Sequence, residues 1–189
     1  MSSLVPPAKK RVWPRRHPVV TGLLTLVVLL AGYTVWTNTR PVRLSASTEI
    51  RATPAEVWRV LTDFESYPEW NPFITRAEVT SHDGRLEEGA TMRNRMHDAG
   101  GDTEFEPEIK EVERNAELRW LGKVPPGWIA DGEHRFRIER IGADRVRFTQ
   151  SERFTGVAVP FVEGKLNDDT LPQFHAMNRA LARRVAELR

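Results

Sequence analysis

The sequence predicts an α+β domain behind one apolar segment, and three observations carry that prediction. A capped amphipathic helix opens at Thr53. Seven runs of alternating polar and apolar residues occupy most of the chain between Val42 and Phe154. A second amphipathic helix closes the sequence, and strand-rich chain between two helices reads as helices packed on an antiparallel sheet.

The first helix is the clearest local signal. Thr53 suits the N-cap, Pro54 the first helical position, and Glu56 the third, where its carboxylate reaches back to the cap amide. Val57, Val60, Leu61 and Phe64 then recur on one helical face. Pro68 and Pro72 halt continuation, so Ser66–Ile74 is predicted to be a bent connection carrying large apolar side chains.

The strands are predicted at Val42–Arg51, Thr75–Ser81, Thr91–His97, Thr103–Val112, Glu117–Lys123, Glu133–Ile141 and Arg145–Phe154. Turn residues separate them: His82-Asp83-Gly84, Ala99-Gly100-Gly101-Asp102, Pro125-Pro126-Gly127 and Gly142-Ala143-Asp144. The closing helix follows a polar loop, with Asn167, Asp168 or Asp169 as its cap and Pro172 in its first turn. Leu171, Phe174, Asn178, Leu181, Val185 and Leu188 form its buried stripe.

Upstream, Pro18 to Trp36 carries no charge and is dense in Leu and Val. About 19 residues rising ~1.5 Å each cover roughly 28 Å, near the ~30 Å thickness of a bilayer's hydrocarbon core. A transmembrane helix is therefore expected over residues 18–37, after a basic tail at 1–17 and before a domain at 42–189. Lys9, Lys10, Arg11, Arg15 and Arg16 precede the span, which places the N-terminus in the cytoplasm and the domain outside it. Trp13, Tyr33 and Trp36 suit the two interfaces. A cleaved signal peptide is the competing reading, but the run is longer than an ordinary h-region and no A-x-A site follows.

Composition narrows the function. The net charge of +2 divides unevenly: residues 1–41 hold six Lys or Arg and no acid, leaving 22 of the 28 basic residues against all 26 acidic ones, a net of −4. Basic charge beside an apolar span does not indicate nucleic acid. With no Cys there is neither a disulfide framework nor a thiolate site. No metal is assigned to His17, His82, His97 or His175, which lack a second ligand at metal spacing. Glu106 and Glu108 share a strand face with Lys110 and read as a solvated surface. No phosphate loop or Ser elbow is present, and no cofactor is expected.

Strand phase picks out the inward polar groups. If Met92, Met96, Phe105, Ile109, Leu118, Trp120, Phe136, Ile138, Phe148 and Phe154 face the closing helix, Asn94, His134, Gln150 and Glu152 face it too. Short closure at Gly142-Ala143-Asp144 sets Ile138 opposite Phe148, Phe136 opposite Gln150 and His134 opposite Glu152. Directly opposed Cβ atoms lie about 4.5–5.5 Å apart, within pairing reach.

Val57-Trp58, Trp70-Asn71-Pro72-Phe73, FEPEI, ELRWLG, DGEHRF, TQSERFTG and FHAMNRAL together resemble the polyketide cyclase/dehydrase branch of the START-like (SRPBCC, helix-grip) superfamily, over roughly residues 42 to 189. The resemblance implies a curved antiparallel sheet of about seven strands gripping the C-terminal helix around an apolar cavity. It also implies a hydrophobic small molecule or lipid as partner. Trp70, Asn71 and Phe73 match the loop that gates the cavity in the family. With Asn94, Trp120, His134, Phe136, Gln150, Glu152, Phe174 and Met177 they form the expected ligand site. A cyclase/dehydrase-like enzyme and a protein-interaction module are the alternative readings.

Overall fold

The computed structural model describes residues 17–98 and 101–189. The expected basic tail, with its lysines, arginines and Trp13, lies outside the described residues, as do Ala99 and Gly100. The first helix, α1 (Pro18–Thr39), has proline at its start, where a missing N–H costs nothing. The hydroxyls of Thr21, Thr25 and Thr34 donate to the carbonyls one turn back, so these three polar groups are satisfied within the helix. By length and composition α1 can cross a membrane, a property shared by signal sequences.

Eight strands follow where seven are expected. They are β1 (Val42–Ile50), β2 (Ile74–Val79), β3 (Met92–Asp98), β4 (Gly101–Phe105), β5 (Glu108–Glu113), β6 (Glu117–Val124), β7 (Ala130–Arg140) and β8 (Val146–Thr155). The extra strand arises because the run Thr103–Val112 breaks at Glu106-Pro107, where the proline has no N–H for a ladder. The chain consequently folds as a five-stranded sheet, β1-β8-β7-β6-β5, and a three-stranded sheet, β2-β3-β4, both antiparallel. The sheets stay joined at the break. Met92 N–H donates to Pro107 O at 2.9 Å, Ile109 N–H donates to Ala90 O at 2.8 Å, and Thr91 bridges Glu108. The break is thus a bend that wraps one continuous wall around the interior.

Helix α2 (Pro54–Thr62) carries the expected capping box. Thr53 N–H donates to Glu56 Oε2 at 2.7 Å, and Glu56 N–H donates to Thr53 Oγ1 at 3.3 Å. The backbone N–H of Thr53, followed by its hydroxyl, holds the Glu56 carboxyl below the usual glutamate range. Pro68 starts a turn as well as ending one: after a 3₁₀ turn at Phe64–Ser66 it sits in the first turn of the short α3 (Tyr67–Trp70). Tyr67 is fully buried there and donates to Leu61 O at 2.6 Å; desolvation raises its pKa.

The closing helix differs from expectation at its start. It begins as α4 (Val159–Lys165), passes through a π turn at Leu166–Thr170 and continues as α5 (Leu171–Glu187). Asn167, Asp168 and Asp169 lie inside this run and cap nothing. The wide turn relieves the clash between the Pro172 ring and the carbonyl one turn back. Phe174, Met177, Asn178, Ala180, Leu181 and Val185 are buried, while Leu188 is exposed. Asn178 Nδ2 donates to Ala46 O at 3.0 Å, tying α5 to β1.

Candidate functional site

The register of β7 and β8 pairs Ile138 with Phe148, Phe136 with Gln150 and His134 with Glu152, as strand phase predicts. All six side chains therefore share the face that looks toward α5. His134 is buried, with Nδ1 3.4 Å from Glu152 Oε2 and Nε2 3.0 Å from Gln150 Nε2. The Glu152 carboxylate beside Nδ1 and the Gln150 amide at Nε2 orient the ring between them. The ring stacks on Trp120, at 5.4 Å between centroids, and meets Phe136 at 4.5 Å and Phe174 at 5.1 Å. Gln150 Nε2 also lies 3.5 Å from Met177 Sδ. The imidazole is thereby fixed on three sides.

Its open side, with that of Glu152, adjoins a cavity of about 270 Å³. Met96, Thr103 and Phe105 of β3 and β4 form one wall, Trp120, Phe154 and the ends of β6 and β7 another. Val159 and Val162 of α4 and Leu166 of the π turn close it. The lining is almost wholly apolar, and Glu152 reaches it by an unusual path. A Cβ at Gly132 would sit 2.5 Å from Glu152 Oε1, so the carboxylate lies across the space that the glycine leaves empty.

Of the expected site residues, Trp120, His134 and Glu152 are on the cavity wall. Phe136, Gln150, Phe174 and Met177 stand behind His134 and hold it. Asn94 is buried on β3 away from the cavity, its amide without a hydrogen-bond partner among the described residues. Trp70, Asn71 and Phe73 are not at the cavity either. Asn71 Oδ1 accepts from the N–H groups of Phe73 and Ile74 at 3.0 and 2.9 Å, which fixes the WNPF turn. Trp70 packs edge-on against Tyr67 and donates to Ser66 Oγ at 3.2 Å, and Phe73 meets Phe174. In this structure the WNPF turn packs into the core, and α4 lies over the cavity because the closing helix starts about a dozen residues earlier than the polar run implies.

The sequence reading missed Asp131 and Lys123, which face each other across β6 and β7 at the cavity rim. They lie where Gly122 and Gly132 interrupt the alternation, so phase gave no signal. Asp131 Oδ1 is buried without a partner among the described residues. Desolvation raises its pKa, opposed by Lys123. A carboxyl raised in the fold favours folding when protonated, and that contribution is lost as pH rises through the folded value. Asp131→Asn should therefore raise the melting temperature by about 2 °C at pH 7, the scale of a sub-kilocalorie effect in a domain of this size. The gain should vanish at pH 3; calorimetry of both variants at both pH values checks it.

The outer face of the small sheet is different in kind. Arg93 pairs with Glu106 and Glu78 and Arg95 with Glu104, and across the break, on β5 of the larger sheet, Glu108 pairs with Lys110, all partly or largely exposed. These are solvated ladders, as Glu106 and Glu108 were expected to be. Among the described residues no three His, Asp or Glu side chains converge to hold a metal ion.

The family described as "Polyketide cyclase / dehydrase and lipid transport" matches residues 41–188. No curated protein matches the chain. A START superfamily protein from Mycobacterium smegmatis aligns at TM-score 0.58 and 23% identity, over 78% of this chain and 99% of that one. The Zhui aromatase/cyclase from Streptomyces sp. R1128 aligns at 0.61 and 14%, over 79% and 97%. A norcoclaurine synthase from Thalictrum aligns at 0.60 and 16%, over 79% and 98%. At these identities the solved structures establish the shared helix-grip fold. With the profile spanning its folded domain, the chain belongs to the polyketide cyclase/dehydrase and lipid transport family of the START-like superfamily.

Proposed function

We propose that this protein is a membrane-anchored helix-grip domain that holds a hydrophobic small molecule or lipid in the cavity under α4, with His134 and Glu152 reading the ligand's one polar group. Residues 18–37 form the anchor, 1–17 a cytoplasmic basic tail, and 42–189 a ligand-binding domain on the other side of the membrane. The observation that carries the reading is an apolar cavity whose inner wall holds a single buried imidazole backed by a carboxylate. Apolar walls with a few convergent polar groups are the usual form of a small-molecule site. At about 270 Å³ the space suits one ring system or a short acyl segment rather than a whole phospholipid.

Native mass spectrometry of the detergent-extracted full chain tests this. The wild type should carry an apolar adduct, and His134→Gln should weaken its retention about tenfold, the loss of one hydrogen bond to a charge-assisted site. An adduct-free wild type, or equal retention by both, would overturn the assignment. A second reading rests on the same pair: an imidazole positioned by a carboxylate at a dry wall is also an acid–base arrangement. In that case His134→Gln would keep the bound molecule but halt its conversion, as for a cyclase/dehydrase.

A further inference from the structure

Six large apolar side chains are exposed on the described residues outside α1, and four of them gather at the cavity mouth: Val124, Trp128, Phe161 and Val162. Val124 and Val162 line the cavity itself. Phe161, 80% exposed, stands beside Val162 on α4, and Trp128, 51% exposed, occupies the β6–β7 turn. The two pieces are latched together, since Val157 N–H donates to Trp128 O at 3.1 Å and Ala158 N–H donates to Ile129 O at 3.0 Å. Exposed apolar side chains beside the mouth of an apolar cavity, with Lys123 and Asp131 the charged pair on the same rim, have the form of an interaction surface.

What covers that rim is indicated by α1. Tyr33 Oη donates to Val157 O at 2.9 Å, so the latch sits at the level of Tyr33. One turn further, Trp36 and Arg40 face Pro160 and Glu163 of α4 across a shallow cleft. Tyr33 and Trp36 end the apolar run, where aromatic side chains occupy the headgroup region of a bilayer. The start of α4 and the Trp128 turn therefore share the depth of that region.

We propose that the domain rests on the leaflet from which α1 emerges, with Trp128 and Phe161 inserted among the lipids and the cavity mouth opening onto the acyl chains. The ligand then passes between bilayer and cavity without crossing water. This rests on the membrane-anchored reading above.

The chain has no cysteine, so single labels are clean. Phe161→Cys and, at the far end of β7–β8, Asp144→Cys would each carry a nitroxide in the full-length protein, reconstituted into phosphatidylcholine vesicles containing phosphatidylglycerol. The ratio of collisions with oxygen to those with a water-soluble nickel complex should be about tenfold higher at 161 than at 144, as for a site within the hydrocarbon boundary. Equal ratios in a chain that resists carbonate extraction would overturn the docking and leave the anchor standing. Release by carbonate would overturn both. Dipolar broadening between labels at 161 would assign the face to a second copy of the chain and would also overturn the proposal.

Discussion

Trp120→Ala is expected to destabilise the domain by about 3–5 kcal/mol, the range for truncating a buried Trp. In a domain of this length that corresponds to a fall in melting temperature of about 6–20 °C. Trp120 is only 1% exposed on β6, stacks on His134 and meets Phe136 edge-on at 4.9 Å between centroids. The missing ring would open directly into the existing cavity, so the void left behind has no neighbours able to collapse into it. His134 would also lose the plane that orients it. Urea denaturation and ligand retention, measured on one preparation, separate the contributions. A melting loss below about 2 °C would show that Trp120 is not part of the packed wall, since that is under 1 kcal/mol.

Gly156→Ala should cost about 3 kcal/mol or more, combining an unfavourable backbone with a direct clash. Gly156 follows β8 at φ +129°, a conformation that side-chain-bearing residues rarely adopt. An added Cβ would overlap the carbonyl oxygen of Ile129 and lie 2.6 Å from its carbon and 2.9 Å from Ala130 N. Neither partner is a flexible side-chain tip; both are backbone, Ile129 just before β7 and Ala130 at its first position. The latch between the Trp128 turn and the start of α4 should open. Amide exchange at Val157 and Ala158 should then accelerate well beyond exchange in α5. Gly164 serves as the contrast, because nothing lies within 4 Å of its added Cβ and it is helical. Gly164→Ala should stabilise by about 1 kcal/mol. Equal effects at the two glycines would refute the latch.

Much of the fold was readable because its signals are local. The Thr53–Glu56 capping box needs only four residues, and the pairing of His134 with Glu152 follows once a short connection fixes the β7–β8 register. The misreadings occurred where one local signal had two physical outcomes. Pro107 sits in a run whose alternation continues on both sides, so the bend between sheets was hidden in an apparently single strand. Glu163 to Thr170 is polar because it faces solvent on a helix, yet on composition alone it resembled a loop. The site followed the same division. Phase identified the buried pair, but which segment covers it depends on where the closing helix begins. The family resemblance implies a gating role for Asn71, whereas its side chain accepts from the backbone of its own turn.

The π turn at Leu166–Thr170 makes residue number, rather than residue identity, a determinant of the cavity. A wide turn holds one residue more than an α turn, and each residue of an α-helix advances the azimuth by about 100°. Phe174 and Met177 are locked into the core beyond the turn, whereas Val159 and Val162 precede it and roof the cavity. Removing any one residue from the turn would rotate the roof by roughly that angle about a fixed shaft, aiming the valines away from His134 and a different strip of α4 toward it. Residues 167–170, four exposed or half-exposed positions outside the cavity wall, are thus constrained in count, and a one-residue length change among them would re-line the cavity without touching a residue of its wall.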